Sequence, residues 1–183
     1  PRRVNSSAVT PLPMAQTSTP IRFLVAFSFA GPHRKRVKAI AELVAQRLGR
    51  NRVFFDEWYE SEILGPDMAD LLQSFYHKQS LLVVADVSEE YHDRPWCRAE
   101  AQAIRALRFE RNNPRDESQR LRFLPIRLDA GTPAGLLPTA GYLDAQQKTD
   151  EACADIILAR LDRLRDALPD LAGTSADIPL AVG

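Results

Sequence analysis

Residues 80–87, SLLVVADV, decide the fold of this chain. They form the most apolar run in a sequence of 183 residues whose overall apolar content, 45%, is ordinary for a globular protein. Such a short and nearly continuous run is typical of a strand that is buried on both faces of a parallel sheet. We therefore predict that residues 80–87 form the central strand.

Other apolar runs lie before and after this one. Residues 21–28, IRFLVAFS, are bounded by Pro20 and Gly31 and predict the first strand. The remaining strands are predicted at 52–55, 122–128 and 141–144. Pro125 indicates that its strand lies near the edge of the sheet, because proline has no N–H to donate to a neighbour.

The segments between these runs carry apolar residues at helical spacing. Helices are predicted near 34–48, 67–77, 96–111 and 149–168. This alternation predicts an α/β domain with a five-stranded parallel sheet and helices on both faces. The domain is expected to span 21–168, between a disordered arm or linker at 1–20 and a tail or linker at 169–183. Since the chain begins with Pro1, we interpret it as processed or as a fragment, with Met14 as a candidate native start.

Charge and composition argue against several classes of protein. Lys and Arg together number 24, as do Asp and Glu, so no net basic field favours nucleic acid or an anionic membrane. No apolar run approaches the roughly 20 residues of a membrane span, and no secretion signal precedes the first strand. Cys97 and Cys153 have no partner at metal-ligand spacing, so no metal site is predicted. We expect a soluble, cytoplasmic protein.

The carboxyl ends of the predicted strands converge at one edge of the sheet, where open parallel sheets form their binding sites. Residues 28–29 and 55–56 end two of these strands, and the loop after the central strand leads into 93–100, DRPWCRAE. Glu100 lies on the same helical stripe as Trp96. Two interpretations fit Glu100, an acid that favours the helix macrodipole or a functional acid beside an aromatic wall in a cleft. Its place at this edge favours the second.

Two further segments near this edge have more than one interpretation. Cations crowd the first turn of the helix that begins near Arg34, either as a solvated basic face or as a phosphate site where Arg34 and the helix amides meet an anion. The acidic loop 56–66 carries Trp58 and Tyr59, which either contact a partner or fold over the core.

Taken in order, the motifs of this chain resemble those of a TIR domain, of the kind common in bacterial defence proteins. The resemblance covers about residues 21–168. The matching pieces are FSFAG at 27–31, VFFD at 53–56, LGPD at 64–67, VVADVS at 83–88, WCRAE at 96–100, LPIR at 124–127 and GYLD at 141–144. Residues 31–34, GPHR, depart from the more acidic Gly-Glu-Asp-Arg pattern that is common in the family.

The resemblance implies a flavodoxin-like three-layer sandwich and, for many members of the family, cleavage of the nicotinamide–ribose bond of NAD+. The implied catalytic group is the glutamate that closes the Trp-x-x-x-Glu motif, here Glu100. Because the leaving nicotinamide is already cationic, no general acid is needed, and one carboxylate near the ribose can stabilise the oxocarbenium-like centre. NAD+ is then a substrate, and no further cofactor or metal is required. Linear and cyclised ADP-ribose both fit as products.

The resemblance also implies how NAD+ binds. Trp96 or Phe29 would stack the base, and Arg34 or the amides near Gly31 would meet the pyrophosphate. The full set of predicted binding residues is Ser28, Phe29, Gly31, Arg34, Phe55, Asp56, Trp58 and Trp96.

Self-association with other TIR domains is implied as well, as the step that activates signalling in immunity or stress, together with a sensor module on the same or a partner chain. The loop after the second strand is expected to be mobile in a lone domain. The main alternative is a non-catalytic TIR module that signals by docking, but Glu100, which pure adaptors often lack, favours the enzyme. A hydrolase related to nucleoside deoxyribosyltransferases is a second alternative. A phosphorelay receiver fits poorly, because Ser28 and Phe29 stand where paired acids are needed.

Overall fold

A computed structural model describes residues 20–29, 31–87, 121–130 and 141–169. These residues contain a five-stranded sheet in the order β2-β1-β3-β4-β5, with every pairing parallel. The strands are β1 (Phe23–Ser28), β2 (Val53–Phe54), β3 (Ser80–Asp86), β4 (Phe123–Arg127) and β5 (Leu143–Asp144). The run that decides the fold is therefore the central strand, as predicted, and Pro125 lies one strand in from the edge.

Four α-helices lie within the described residues: α1 (Arg34–Leu48), α2 (Glu60–Ile63), α3 (Met68–His77) and α4 (Asp150–Ala167). Short 3₁₀ helices precede α1, β2 and α2, at Gly31–His33, Arg50–Arg52 and Asp56–Tyr59. The start of α4 follows from its sequence, because the Thr149 hydroxyl accepts a hydrogen bond of 3.2 Å from the amide of Ala152. None of the described helices is long and apolar enough to cross a membrane.

Two hydrophobic layers cover the two faces of the sheet. On one face, α1 and α4 pack aliphatic side chains such as Ile40, Val44 and Leu161 against the strands. On the other face, α3 contributes Phe75 and Tyr76 to a largely aromatic cluster with strand residues. Because both faces are covered, β1 is buried along its whole length, which explains why its sequence shows no alternation. The predicted flavodoxin-like three-layer sandwich is confirmed.

The loop between β2 and α3 has a defined conformation in this structure, made of a 3₁₀ helix and α2. Ion pairs tie its acidic side chains to the rest of the domain. The pairs are Arg34 with Asp56, Lys38 with Glu57, and Arg22 with Glu62. Any opening of the loop, as the expected mobility requires, must break these contacts.

Of the two interpretations of the loop aromatics, the structure supports packing against the core. Trp58 lies against the α1–α4 layer with its ring 5.3 Å from that of Phe55, centroid to centroid. Tyr59 packs on the aromatic cluster, 5.2 Å from Phe23. The terminal arms predicted at 1–20 and 169–183 fall, but for Pro20 and Pro169, outside the described residues, as does the helix predicted at 96–111.

Candidate functional site

The carboxyl edge of the sheet gathers aromatic, cationic and acidic side chains from segments that are far apart in the chain. Ser28 ends β1 and is buried beside β3, where it pairs with Ala85. Gly31 then opens the 3₁₀ helix that leads into α1. On the far side of β1, the end of β2 passes directly into Phe55 and Asp56. The structure thus brings together the predicted site residues that lie within the described part of the chain.

Two stacked aromatic rings lie at this edge, where β1 and β2 end. The rings of Phe29 and Phe55 are nearly parallel, 10° apart, with their centroids separated by 5.1 Å. Phe55 is fully buried, whereas Phe29 is only partly buried. The guanidinium of Arg34 lies 5.1 Å from the Phe29 centroid and 5.9 Å from that of Phe55. We call these three residues the aromatic shelf, a combination suited to a flat base next to an anionic group.

The cation of the aromatic shelf is paired with a carboxylate. Arg34 donates from Nη1 and Nη2 to the two carboxylate oxygens of Asp56, at 2.7 and 2.8 Å. This bidentate bond to Asp56 raises the pKa of Arg34 above its ordinary value. The sequence left open a solvated basic face or a phosphate site, and the structure shows a third arrangement, an intramolecular ion pair. An anion that binds the same two N–H groups must therefore displace Asp56.

A second group of charged side chains lies at the same edge over β3 and β4. The imidazole Nδ1 of His33 is 2.7 Å from Oδ2 of Asp86, the last residue of β3, whose side chain is completely buried. The Nε2 atom of the same ring is 3.8 Å from Oδ2 of Asp129, just after β4. We call these three residues the histidine–carboxylate cluster.

Sequence reasoning did not include this cluster among the site residues. One signal was present, since Asp86 is an acidic residue inside the most apolar run of the chain. A buried carboxylate is costly unless it is hydrogen-bonded, so such a residue calls for a polar partner at the end of the strand. The departure of residues 31–34 from the family pattern places His33 in position to supply it.

A family model for the TIR domain matches residues 25–158. The chain belongs to the TIR domain family. The resemblance stated from the motifs is thereby confirmed.

One curated relative of this TIR domain is the 3' cyclic ADP-D-ribose synthase AaTIR of Aquimarina amphilecti, which is 28% identical over 139 residues. The matched part is 76% of this chain and 40% of the relative. The chain thus spans about two fifths of the length of the relative that it matches.

Cations at the start of α1 oppose the helix macrodipole, and the TIR domain compensates for them with acceptors from other elements. Arg36 donates to the carbonyl oxygens of Ala145 and Lys148, at 2.6 and 2.8 Å, and to Asp150 at 3.2 Å. Together with the pairs of His33 and Arg34, these bonds explain why a basic first turn is tolerated.

Of the remaining predicted site residues, only Trp58 lies in the described part of the chain. Trp58 contacts Phe55 and lies under the guanidinium of Arg50, 4.4 Å from the ring centroid, so it supports the aromatic shelf. Its indole Nε1 is buried and has no hydrogen-bond partner within the described part of the TIR domain. Trp96 and Glu100 lie outside the described residues, and their place in the site stays a prediction.

Metal binding has no support in the described segments, which contain no group of three or more His, Cys, Asp or Glu side chains able to hold one ion. The histidine–carboxylate cluster illustrates why. The two nitrogens of an imidazole point away from each other, so Asp86 and Asp129 lie on opposite sides of the His33 ring. Cys153, on α4, is a free and buried thiol.

Proposed function

We propose that this TIR domain cleaves the nicotinamide–ribose bond of NAD+. The observation that carries the proposal is the aromatic shelf, a stacked ring pair with a cation at the carboxyl edge of a parallel sheet. Membership of the TIR family supports it, as does the name of the relative, which is a synthase of a cyclic ADP-ribose.

The chemistry matches the residues available. NAD+ presents flat bases that can stack on Phe29 and a pyrophosphate that can bind Arg34. Nicotinamide carries a positive charge before cleavage and leaves as a neutral molecule, so bond breaking requires no proton donor. Positive charge then develops on the ribose, and a nearby carboxylate stabilises it. We assign this carboxylate to Glu100, and we treat NAD+ as a substrate rather than a cofactor.

The product depends on which nucleophile reaches the ribose cation. Water gives linear ADP-ribose and releases one proton, whereas an atom of the same molecule gives a cyclised product. The name of the relative refers to a cyclic product, so product analysis by liquid chromatography and mass spectrometry belongs in the first assay.

Self-association with other TIR domains is part of the proposal, in a cytoplasmic role in bacterial immune or stress signalling under the control of a sensor module. Leu64 and Met68 support an interface, because both are large, exposed apolar residues, one just before α3 and the other at its first position. Activation by assembly predicts that the specific rate of NAD+ cleavage rises with protein concentration. Equal specific rates in dilute and in crowded solution would contradict it.

The test of the proposal is nicotinamide release from NAD+ by the chain at high concentration with a crowding agent. Wild type is compared with Glu100→Gln, and with Glu42→Gln, which makes the same change at an exposed position on α1. We expect release by wild type and by Glu42→Gln, and a loss of about a hundredfold to a thousandfold in Glu100→Gln, as for removal of a charge-stabilising group.

Circular dichroism spectra and unfolding curves of the variants separate loss of chemistry from loss of fold. Unimpaired release by Glu100→Gln would remove Glu100 from the mechanism. No release by an assembled wild type would favour the non-catalytic interaction module.

A further inference from the structure

The proposed chemistry leaves the histidine–carboxylate cluster without a role, although it contains a fully buried carboxylate. Among the described residues, Asp86 is the one charged residue of the buried class. Taking a carboxylate out of water costs several kcal/mol unless polar partners compensate. A residue of this kind at the end of β3 therefore needs a partner held firmly in place, and His33 meets that need from another segment.

His33 connects three segments that are distant along the chain. It belongs to the 3₁₀ helix Gly31–His33, while Asp86 ends β3 and Asp129 follows β4. Its ring nitrogens point in opposite directions, one toward each carboxylate, at 2.7 and 3.8 Å. The ring is thus hydrogen-bonded to Asp86 on one side and faces Asp129 on the other, at the carboxyl edge of the sheet.

Few local interactions stabilise the turn that carries His33. His33 occupies the N-cap position of α1, but its side chain makes no capping hydrogen bond. The first turn of α1 contains no acidic residue, and its cations are unfavourable beside the helix amides. Long-range contacts hold the turn instead, with His33 bound to Asp86 on one side and Arg34 bound to Asp56 on the other.

We propose that His33 is a positioning residue of the NAD+ site, which fixes the turn between β1 and α1 so that Arg34 and Phe29 face the substrate. This inference rests on the proposed function. Arg34 follows His33 directly, and Phe29 lies just before the same turn, so a shift of the turn moves both. Asp86 and Asp129 act through His33.

In this proposal Arg34 binds the pyrophosphate and Phe29 stacks on the adenine, and both of these parts of NAD+ lie away from the bond that breaks. Loss of their alignment therefore weakens substrate binding in the ground state and the transition state alike. Such a loss raises KM and leaves kcat nearly unchanged. A merely structural histidine would instead lower the amount of folded protein and leave KM as it is.

The experiment compares wild type with His33→Ala, His33→Asn and Asp129→Asn in the full chain. The amide introduced by His33→Asn keeps an N–H donor near the position of Nδ1, so this substitution is the rescue variant. KM and kcat for nicotinamide release, the Kd for ADP-ribose by calorimetry, and the urea midpoint are measured for each. We expect His33→Ala to raise KM and Kd about tenfold, Asp129→Asn to raise them about twofold, and His33→Asn to stay within about threefold of wild type.

A His33→Ala protein with a lower urea midpoint but wild-type KM and Kd would overturn the proposal, as would a failure of His33→Asn to rescue KM. Absence of both nicotinamide release and ADP-ribose binding in all four proteins is a failure of the proposed function instead. In that case, NMR signals of the Phe29 ring and the Arg34 side chain in the free protein decide the positioning role. We expect them to shift in His33→Ala and not in His33→Asn, and unchanged signals in both variants would overturn the role.

Discussion

The aromatic shelf and the histidine–carboxylate cluster lie at the same edge of the sheet, but water reaches their paired side chains to different degrees. In the pair of the shelf, the side chains of Arg34 and Asp56 are 44% and 28% exposed. In the pair of the cluster, those of His33 and Asp86 are 16% and 0% exposed. An exposed pair contributes about 0–1 kcal/mol to stability, whereas breaking a buried one costs about 3–5 kcal/mol. The ion pair of the aromatic shelf can therefore exchange its partner at low cost. The contacts of the histidine–carboxylate cluster instead fix the positions of its side chains.

The largest expected effect is on stability. Asp86→Ala removes the buried carboxylate and should lower the free energy of unfolding by about 3 kcal/mol, whereas Asp56→Ala should lower it by less than about 1 kcal/mol. Urea unfolding at neutral pH measures both. Asp155→Ala is the control, because Asp155 forms an exposed pair with Arg47 on the surface. Similar losses for Asp86→Ala and Asp56→Ala would show that the two regions do not differ in the way described.

The next largest effect is on the affinity for ADP-ribose, which we expect to increase. If pyrophosphate replaces Asp56 on Arg34, Asp56→Asn removes the competing charge and should tighten ADP-ribose binding about two- to fivefold, which corresponds to the value of an exposed ion pair. Calorimetry measures the Kd. Asp155→Asn is the matched control, because it makes the same change in an exposed pair with Arg47. Weaker binding by Asp56→Asn would mean instead that this carboxylate contacts the ligand directly.

The smallest expected effect is the contribution of His77 to the pH dependence of stability. His77 lies at the opposite, amino edge of the sheet. Burial lowers the pKa of His77, and the charge of Arg122 lowers it further, below the ordinary 6.5. As pH falls through that value, the unfolded chain gains a proton that the folded one does not, so this residue reduces stability in acid.

Between about pH 7.5 and 5.5, wild type should therefore lose more stability than His77→Gln, as measured by urea midpoints. An equal loss in both proteins would show that His77 does not contribute to the acid sensitivity. The part that remains in His77→Gln belongs to other groups.

Much of the fold followed from local patterns. The uninterrupted apolar run at 80–87 predicted the central strand because a strand covered on both faces needs no polar side. The strand ends predicted the edge at which Phe29, Phe55 and Arg34 meet. The sequence did not decide whether Trp58 contacts the core, because both of its interpretations were locally plausible. Neither of the two interpretations given for Arg34 was its ion pair with Asp56.

The sequence by itself determined the alternation of strands and helices, the parallel sheet, and the edge where a site forms, since these depend on the spacing of apolar residues along one segment. Only the tertiary structure decided the partners of the charges. His33 and Asp86 are 53 positions apart, and Arg36 and Asp150 are 114 apart. Such pairs depend on which strands are neighbours and how each turn enters its helix, and local periodicity does not encode these relations.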